Sequence, residues 1–175
     1  MTRVLLRAGI LTLLLATLPV AAAGEDPPSV PEILQHGFRV VTVEGDTVPL
    51  AAFLDSGRPA VIEFWATWCT PCRKTFPELV KLKTKYGDRL VVLGLTVEDA
   101  ESDVAKVRLF AKEHRVNFPI AFAPEELFQL MNRRPDIAVP KLFVFDGTGA
   151  LVRYIPRHSA FTSRKLRSAV ARTLK

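Results

Sequence analysis

A mixed α/β sheet flanked by helices is the fold class that the sequence predicts, on three observations. Two nearly continuous apolar runs, "PAVIEFWA" and "RLVVLGLTV", have strand length, the pattern of strands buried on both faces of a parallel sheet. Between them, Phe76, Leu79, Val80 and Leu82 recur three to four residues apart and the pattern stops at Gly87, as in a covering helix. Towards the C-terminus, "KLFVFDGTGALVRYI" sets two β-rich arms around a glycine-rich turn, so an antiparallel hairpin follows the parallel units.

The elements follow in order. "MTRVLLRAGILTLLLATLPVAAAG" carries Arg3 and Arg7, an apolar stretch over residues 8–18 and an A-x-A site at Ala21 and Ala23. That is the layout of a secretory signal peptide over residues 1–23, and export to the periplasm is the expected location. An uncleaved anchor is the alternative, although the apolar stretch falls short of the roughly 20 residues of a membrane span. No cysteine stands near the cleavage point, which speaks against lipid attachment there. Residues 24–31, "GEDPPSVP", read as a proline-rich linker, leaving one domain over residues 32–175.

Within the domain, "FRVVTV" and "DTVPL" around "EGD" predict a hairpin at a sheet edge, where Pro49 is tolerated. "AAFLDSGR" reads as one helical turn, and "ESDVAKVRLFAKEHRV" as an amphipathic helix. "NFPIAFA" is a short strand and "PEELFQLMN" a short helix with Pro124 near its first turn. A final helix covers residues 161–174. The net charge of +6 is scattered and densest in that last helix, a solvated cationic face that also suits the helix dipole. Contact with anionic lipid or an acidic partner is the other reading of that face. Nothing resembles a nucleic-acid module, so no nucleic-acid partner is expected.

The chain has two cysteines, Cys69 and Cys72, separated by Thr70 and Pro71. As a structural staple they would close a very small loop and constrain the unfolded chain little. As a metal site they supply two ligands, and His36, His114 and His158 are not paired at short ligand spacing. No zinc site is expected, while a two-thiolate copper(I) carrier stays open because soft thiolates favour that ion. Redox chemistry uses what is present. Cys69 falls where a strand ends and a helix begins, and there an exposed thiolate is stabilised by unpaired N–H groups and the dipole. Arg73 and Lys74 add positive charge, Pro71 fits a first helical turn, and Cys72 should be covered, one turn further in.

Glu63 interrupts the apolar strand six residues before Cys69. It either reaches water or a basic partner, or it lies buried near Cys72 with a raised pKa, able to take and return a proton. Pro140 in "VPKLFVF" enters a strand. The residues alone favour a trans Val139–Pro140 bond, while a cis bond would place Val139 backbone in a bend open to an extended peptide.

At "FWATWCTPCRKTFPEL" the chain resembles the thioredoxin superfamily, and within it the secreted TlpA/ResA-like thiol–disulfide oxidoreductases. "VVLGLTVED", "VNFPIAF" and "VPKLFVFDGTGALV" follow in that family's order. The resemblance implies a thioredoxin-like fold with an added N-terminal hairpin and a helical insertion. It implies Cys69 as nucleophile, Cys72 as resolving thiol, Glu63 as buried acid and Pro140 as a cis proline beside them. Trp68, Thr70, Pro71 and Val139 would line the substrate. It further implies reduction of exported protein disulfides, apocytochrome c thiols among them, with electrons from a membrane thiol transporter of the DsbD or CcdA kind and no cofactor. Members dedicated to cytochrome maturation often carry Glu three residues beyond the second cysteine. Thr75 stands there instead, which turns the expectation away from a cytochrome-specific role. Val139 replaces the usual Thr or Leu, "IPRHSAFTSRKL" lacks a customary glycine, and Arg133 and Arg134 stand close to the cis-proline segment.

Overall fold

The computed structural model describes residues 26–54, 57–132 and 136–175. The signal-peptide segment and Arg133 and Arg134 lie outside the described residues. Seven strands form one sheet: β1 (Arg39–Thr42), β2 (Thr47–Pro49), β3 (Ala60–Trp65), β4 (Val91–Thr96), β5 (Ile120–Phe122), β6 (Lys141–Phe145) and β7 (Leu151–Ile155). Their order is β2-β1-β5-β4-β3-β6-β7. The inner pairs β3–β4 and β4–β5 are parallel, and the pairs towards both edges are antiparallel. The predicted edge hairpin is β1–β2, with Pro49 in the outermost strand, where a missing N–H breaks no ladder.

Among the described residues, six α-helices cover the sheet: α1 (Val30–Gln35), α2 (Ala51–Leu54), α3 (Cys72–Tyr86), α4 (Val104–Glu113), α5 (Glu125–Asn132) and α6 (Thr162–Thr173). All six residues of β3 are buried, because it runs between β4 and β6 with helices over both faces. Strand alternation divides them. Val61 and Trp65 join one apolar cluster with Cys72, Phe76 and Leu79 of α3 and Leu166 of α6. Ile62 and Phe64 join the opposite cluster with Ile33 of α1, Leu127 of α5 and Phe143. Glu63 therefore shares a face with Val61 and Trp65, the face that α3 covers.

Two glycines are dictated by space and backbone. Gly87 ends α3 at φ +53°, a left-handed conformation that favours glycine. Gly94 pairs with Glu63 across β3–β4, and a Cβ there would stand 3.2 Å from Trp65 Nε1.

Helix α1 is absent from the reading of the sequence, and it takes in the last two residues of the stretch read as linker. Its start is built by Glu32, whose carboxylate accepts the Ser29 N–H at 2.7 Å and the Ser29 hydroxyl at 2.6 Å. Val30 and Ile33 are buried, and the Val30 N–H donates to Gly149 O at 2.8 Å, so the helix docks on the β6–β7 turn.

Candidate active site

Strand β3 delivers the chain to the carboxyl end of the parallel strands, and residues 66–71 then turn it into α3. Cys69 and Cys72 are joined in a disulfide, with Cα atoms 5.3 Å apart. The Cys69 carbonyl accepts from the N–H groups of Cys72 (3.0 Å) and Arg73 (3.4 Å), which starts the helix. The Cys72 N–H also lies 3.2 Å from Cys69 Sγ, so a donor of the first turn points at that sulfur.

Cys72 is fully buried, as expected for the inner thiol. Cys69 is not the exposed residue that its position suggests: it is 3% exposed. The sulfur turns inward to bridge Cys72 and packs in the apolar cluster of α3, while the rim is made by its neighbours. Trp68 is 63% exposed, and Thr70 and Pro71 are exposed as well. Arg73 and Lys74 both face solvent, and Arg73 donates to Thr67 O at 3.0 Å while lying 5.3 Å over the Phe110 ring.

Of the two readings of Glu63, burial is the one observed. The residue has no solvent exposure and, among the described residues, no Lys or Arg pairs with it. Burial raises its pKa to about 8, against the opposing pull of a hydrogen bond from Thr75. Thr75 Oγ1 lies 2.5 Å from Glu63 Oε1 and 2.9 Å from the Cys72 carbonyl oxygen. Glu63 Oε2 is buried and, among the described residues, has no hydrogen-bond partner. The acid is thus joined to the second cysteine through one threonine hydroxyl.

The Val139–Pro140 bond is cis, as the resemblance implies and contrary to what the residues alone favour. Pro140 is buried, and Val139 packs against the cluster that contains Cys69 and Cys72. The eight predicted site residues lie within β3, in the turn that leads into α3, at the first residue of α3 or just before β6. Among the described residues, no group of three or more His, Cys, Asp or Glu is placed to hold a metal.

Two supports were not read from the sequence. Glu98, just past β4, accepts the Thr67 N–H at 2.9 Å and the Thr67 hydroxyl at 2.6 Å, and it meets Lys106 Nζ at 3.2 Å. It anchors the turn that leads to Trp68 and Cys69. Lys141, fully buried at the start of β6, donates to Asp136 Oδ1 at 2.6 Å, and Asn132 Nδ2 donates to the Asp136 carbonyl. These bonds fix the segment before the cis proline. Lys141 also holds the Asp136 carboxyl below its ordinary range, first through that hydrogen bond. A buried lysine beginning a strand and an acid two residues past the end of one leave no periodic trace, so sequence pattern carried no signal for either.

The sheet order and the bridged cysteine pair at the head of α3 define a thioredoxin-like protein. The chain belongs to the AhpC/TSA family, whose model matches residues 34–154. Thioredoxin-like protein YneN of Bacillus subtilis is 41% identical over 83 residues, 47% of this chain and 48% of that protein. Thiol-disulfide oxidoreductase ResA of Bacillus thuringiensis subsp. konkukian is 30% identical over 118 residues, 67% of this chain and 65% of that protein. The chain thus spans about half to two-thirds of these relatives' length. A secreted Mycobacterium tuberculosis disulfide oxidoreductase homologous to E. coli DsbE superposes with a TM-score of 0.65 at 21% identity, over 81% of this chain and 98% of that one. That likeness establishes the fold. Among the described residues, no helix is long and apolar enough to cross a membrane.

Proposed function

We propose that this chain is an extracytoplasmic thiol–disulfide oxidoreductase that mainly reduces disulfides in exported proteins. The observation that carries the reading is the cysteine pair at the head of α3, with the Cys72 N–H on Cys69 Sγ and a buried acid linked to Cys72 through Thr75. Relatives named as thiol–disulfide oxidoreductases support the reaction class. The leader-like residues 1–23 and a structural neighbour described as secreted support the location.

In the reduced protein, the Cys69 thiolate attacks one sulfur of a substrate disulfide, forms the mixed disulfide and releases the first substrate thiolate. The Cys72 thiol then passes its proton to the Glu63 carboxylate and attacks Cys69 Sγ. That step breaks the bond to the substrate, releases its second thiolate and leaves the Cys69–Cys72 disulfide with Glu63 protonated. Substrate gains two electrons and the cysteine pair loses two. A membrane thiol donor of the DsbD or CcdA class returns them through the reverse exchange. Trp68, Thr70 and Pro71 offer an exposed rim for the incoming peptide, and Val139 offers backbone beside it. Apocytochrome c thiols are one substrate class within this reading.

The test is reduction of insulin disulfides by the purified, pre-reduced mature protein. Wild-type protein is expected to turn over and Cys69→Ser to be inactive, while Cys72→Ser accumulates mixed disulfides. Activity retained by Cys69→Ser would overturn the assignment.

A further inference from the structure

The hydroxyl of Thr75 faces two acceptors with one hydrogen. Glu63 Oε1 lies at 2.5 Å and the Cys72 carbonyl oxygen at 2.9 Å. A threonine hydroxyl donates once and accepts through its lone pairs. When Glu63 is a neutral acid, its O–H can donate to Thr75 Oγ1 and the Thr75 O–H can donate to the Cys72 carbonyl, so both contacts are made. When Glu63 is ionised, the Thr75 O–H turns to the carboxylate, and the Cys72 carbonyl keeps its place in the helical ladder. One rotation of one hydroxyl therefore gives the acid a partner in either protonation state. Neither the relatives' names nor the cysteine spacing assigns Thr75 any role.

Other groups around Glu63 do not share this task. Its strand neighbours are Gly94 on β4 and Leu142 on β6. From α3 it meets Thr75 beside Cys72, which is held in the disulfide and becomes titratable on reduction. From α6, the residues turned to this face are Leu166, Ala169 and Val170. Arg73 and Lys74 are exposed, and Lys141 pairs with Phe64 on the opposite face and binds Asp136. Among the described residues, Glu63 Oε2 has no hydrogen-bond partner.

We propose that Thr75 is the positioning residue that lets Glu63 gain and lose its proton while buried, by re-aiming one hydroxyl between Glu63 and the Cys72 carbonyl. The proposal rests on the reading of Glu63 as proton acceptor for Cys72, and it concerns how that acceptor works. A hydrogen bond to a charged group is worth about twice one between neutral groups, so loss of the hydroxyl penalises the carboxylate more than the acid. Glu63 should then hold its proton to higher pH.

The experiment follows the Glu63 carboxyl stretch by infrared difference spectroscopy of the oxidised protein across pH, with Glu63→Gln as the blank. Thr75→Val is expected to raise the midpoint by about one pH unit, and Thr75→Ser to restore the wild-type midpoint. Thr75→Ala, which suits a helix interior, replaces Thr75→Val if the latter does not fold. In disulfide exchange, the pH at which Cys72 resolution reaches half its limiting rate should move with the infrared midpoint. A rise of less than half a unit in the variant lacking the hydroxyl, or an equal rise in Thr75→Ser, overturns the proposal. The infrared arm needs no substrate. A wild-type protein that titrates as expected but exchanges no disulfides would overturn the functional reading and leave the role of Thr75 standing.

Discussion

Glu98 holds Thr67 by two bonds, one from the backbone N–H and one from the hydroxyl, and so ties the end of β4 to the turn that precedes Trp68 and Cys69. The carboxylate is nearly buried and shares Lys106 with Asp103. Positioning of a nucleophile to within an ångström matters to rate, and Glu98 holds this turn together with the Arg73 bond to the Thr67 carbonyl. Glu98→Ala is expected to cost about 1–3 kcal/mol of stability. It should also slow disulfide exchange by roughly tenfold, as stopped-flow kinetics would show. An exchange rate unchanged beside a lowered Tm would confine Glu98 to stability.

Glu63 makes stability depend on pH. Its folded pKa, about 8, stands above the ordinary value of 4.5, because burial favours the neutral acid. Between those values the folded chain binds more protons than the unfolded one, so stability falls as pH rises from about 4.5 to about 8 and levels off above. The span corresponds to a loss of up to about 5 kcal/mol. Urea melts of the oxidised protein at pH 5, 6.5 and 8 should show this decline, and Glu63→Gln should flatten most of it. A wild-type profile that rises over this range would contradict the burial of an acid here.

The Lys141–Asp136 pair is unequal. Lys141 is wholly buried, whereas the Asp136 side chain is 30% exposed and is also approached by Arg157. Asp136→Asn strands a buried cation and is expected to cost about 3–5 kcal/mol. Lys141→Met leaves a carboxylate that water can reach and should cost only about 1 kcal/mol. Chemical denaturation of both variants checks the order, and equal losses would mean that burial of Lys141 does not decide the energetics.

Much of this architecture was legible because it is periodic. The runs that became β3 and β4, the apolar spacing of α3 and its stop at Gly87, and the β6–β7 hairpin all follow from burial acting on regular geometry. The cysteine pair was legible from its place between an apolar strand and an amphipathic helix, which favoured redox chemistry over a staple or a copper(I) site. Helix α1 escaped attention because its signal is a cap rather than a long stripe: Ser29 and Glu32 close its first turn, and in six residues Val30 and Ile33 are buried with Leu34 packed beside them. The inward turn of Cys69 onto Cys72, the Thr75 hydroxyl on Glu63 and the Lys141–Asp136 pair are side-chain contacts three, twelve and five residues apart, set by how strand, turn and helix pack rather than by apolar periodicity. Local pattern cannot report such contacts. Thr75 shows this most plainly, since in sequence it is a departure from a family habit, and in space it is the hydroxyl on the buried acid.

The acidity of Cys69 tests the central claim most directly. In reduced Cys72→Ser protein, the rate of iodoacetamide alkylation should be followed from pH 4 to pH 10. A thiol at the head of α3 is expected to react as thiolate with a midpoint below about 7.5, against about 8.5 for a free cysteine. A midpoint at or above about 8.5, or a Cys69 that resists alkylation until the protein unfolds, would contradict the account.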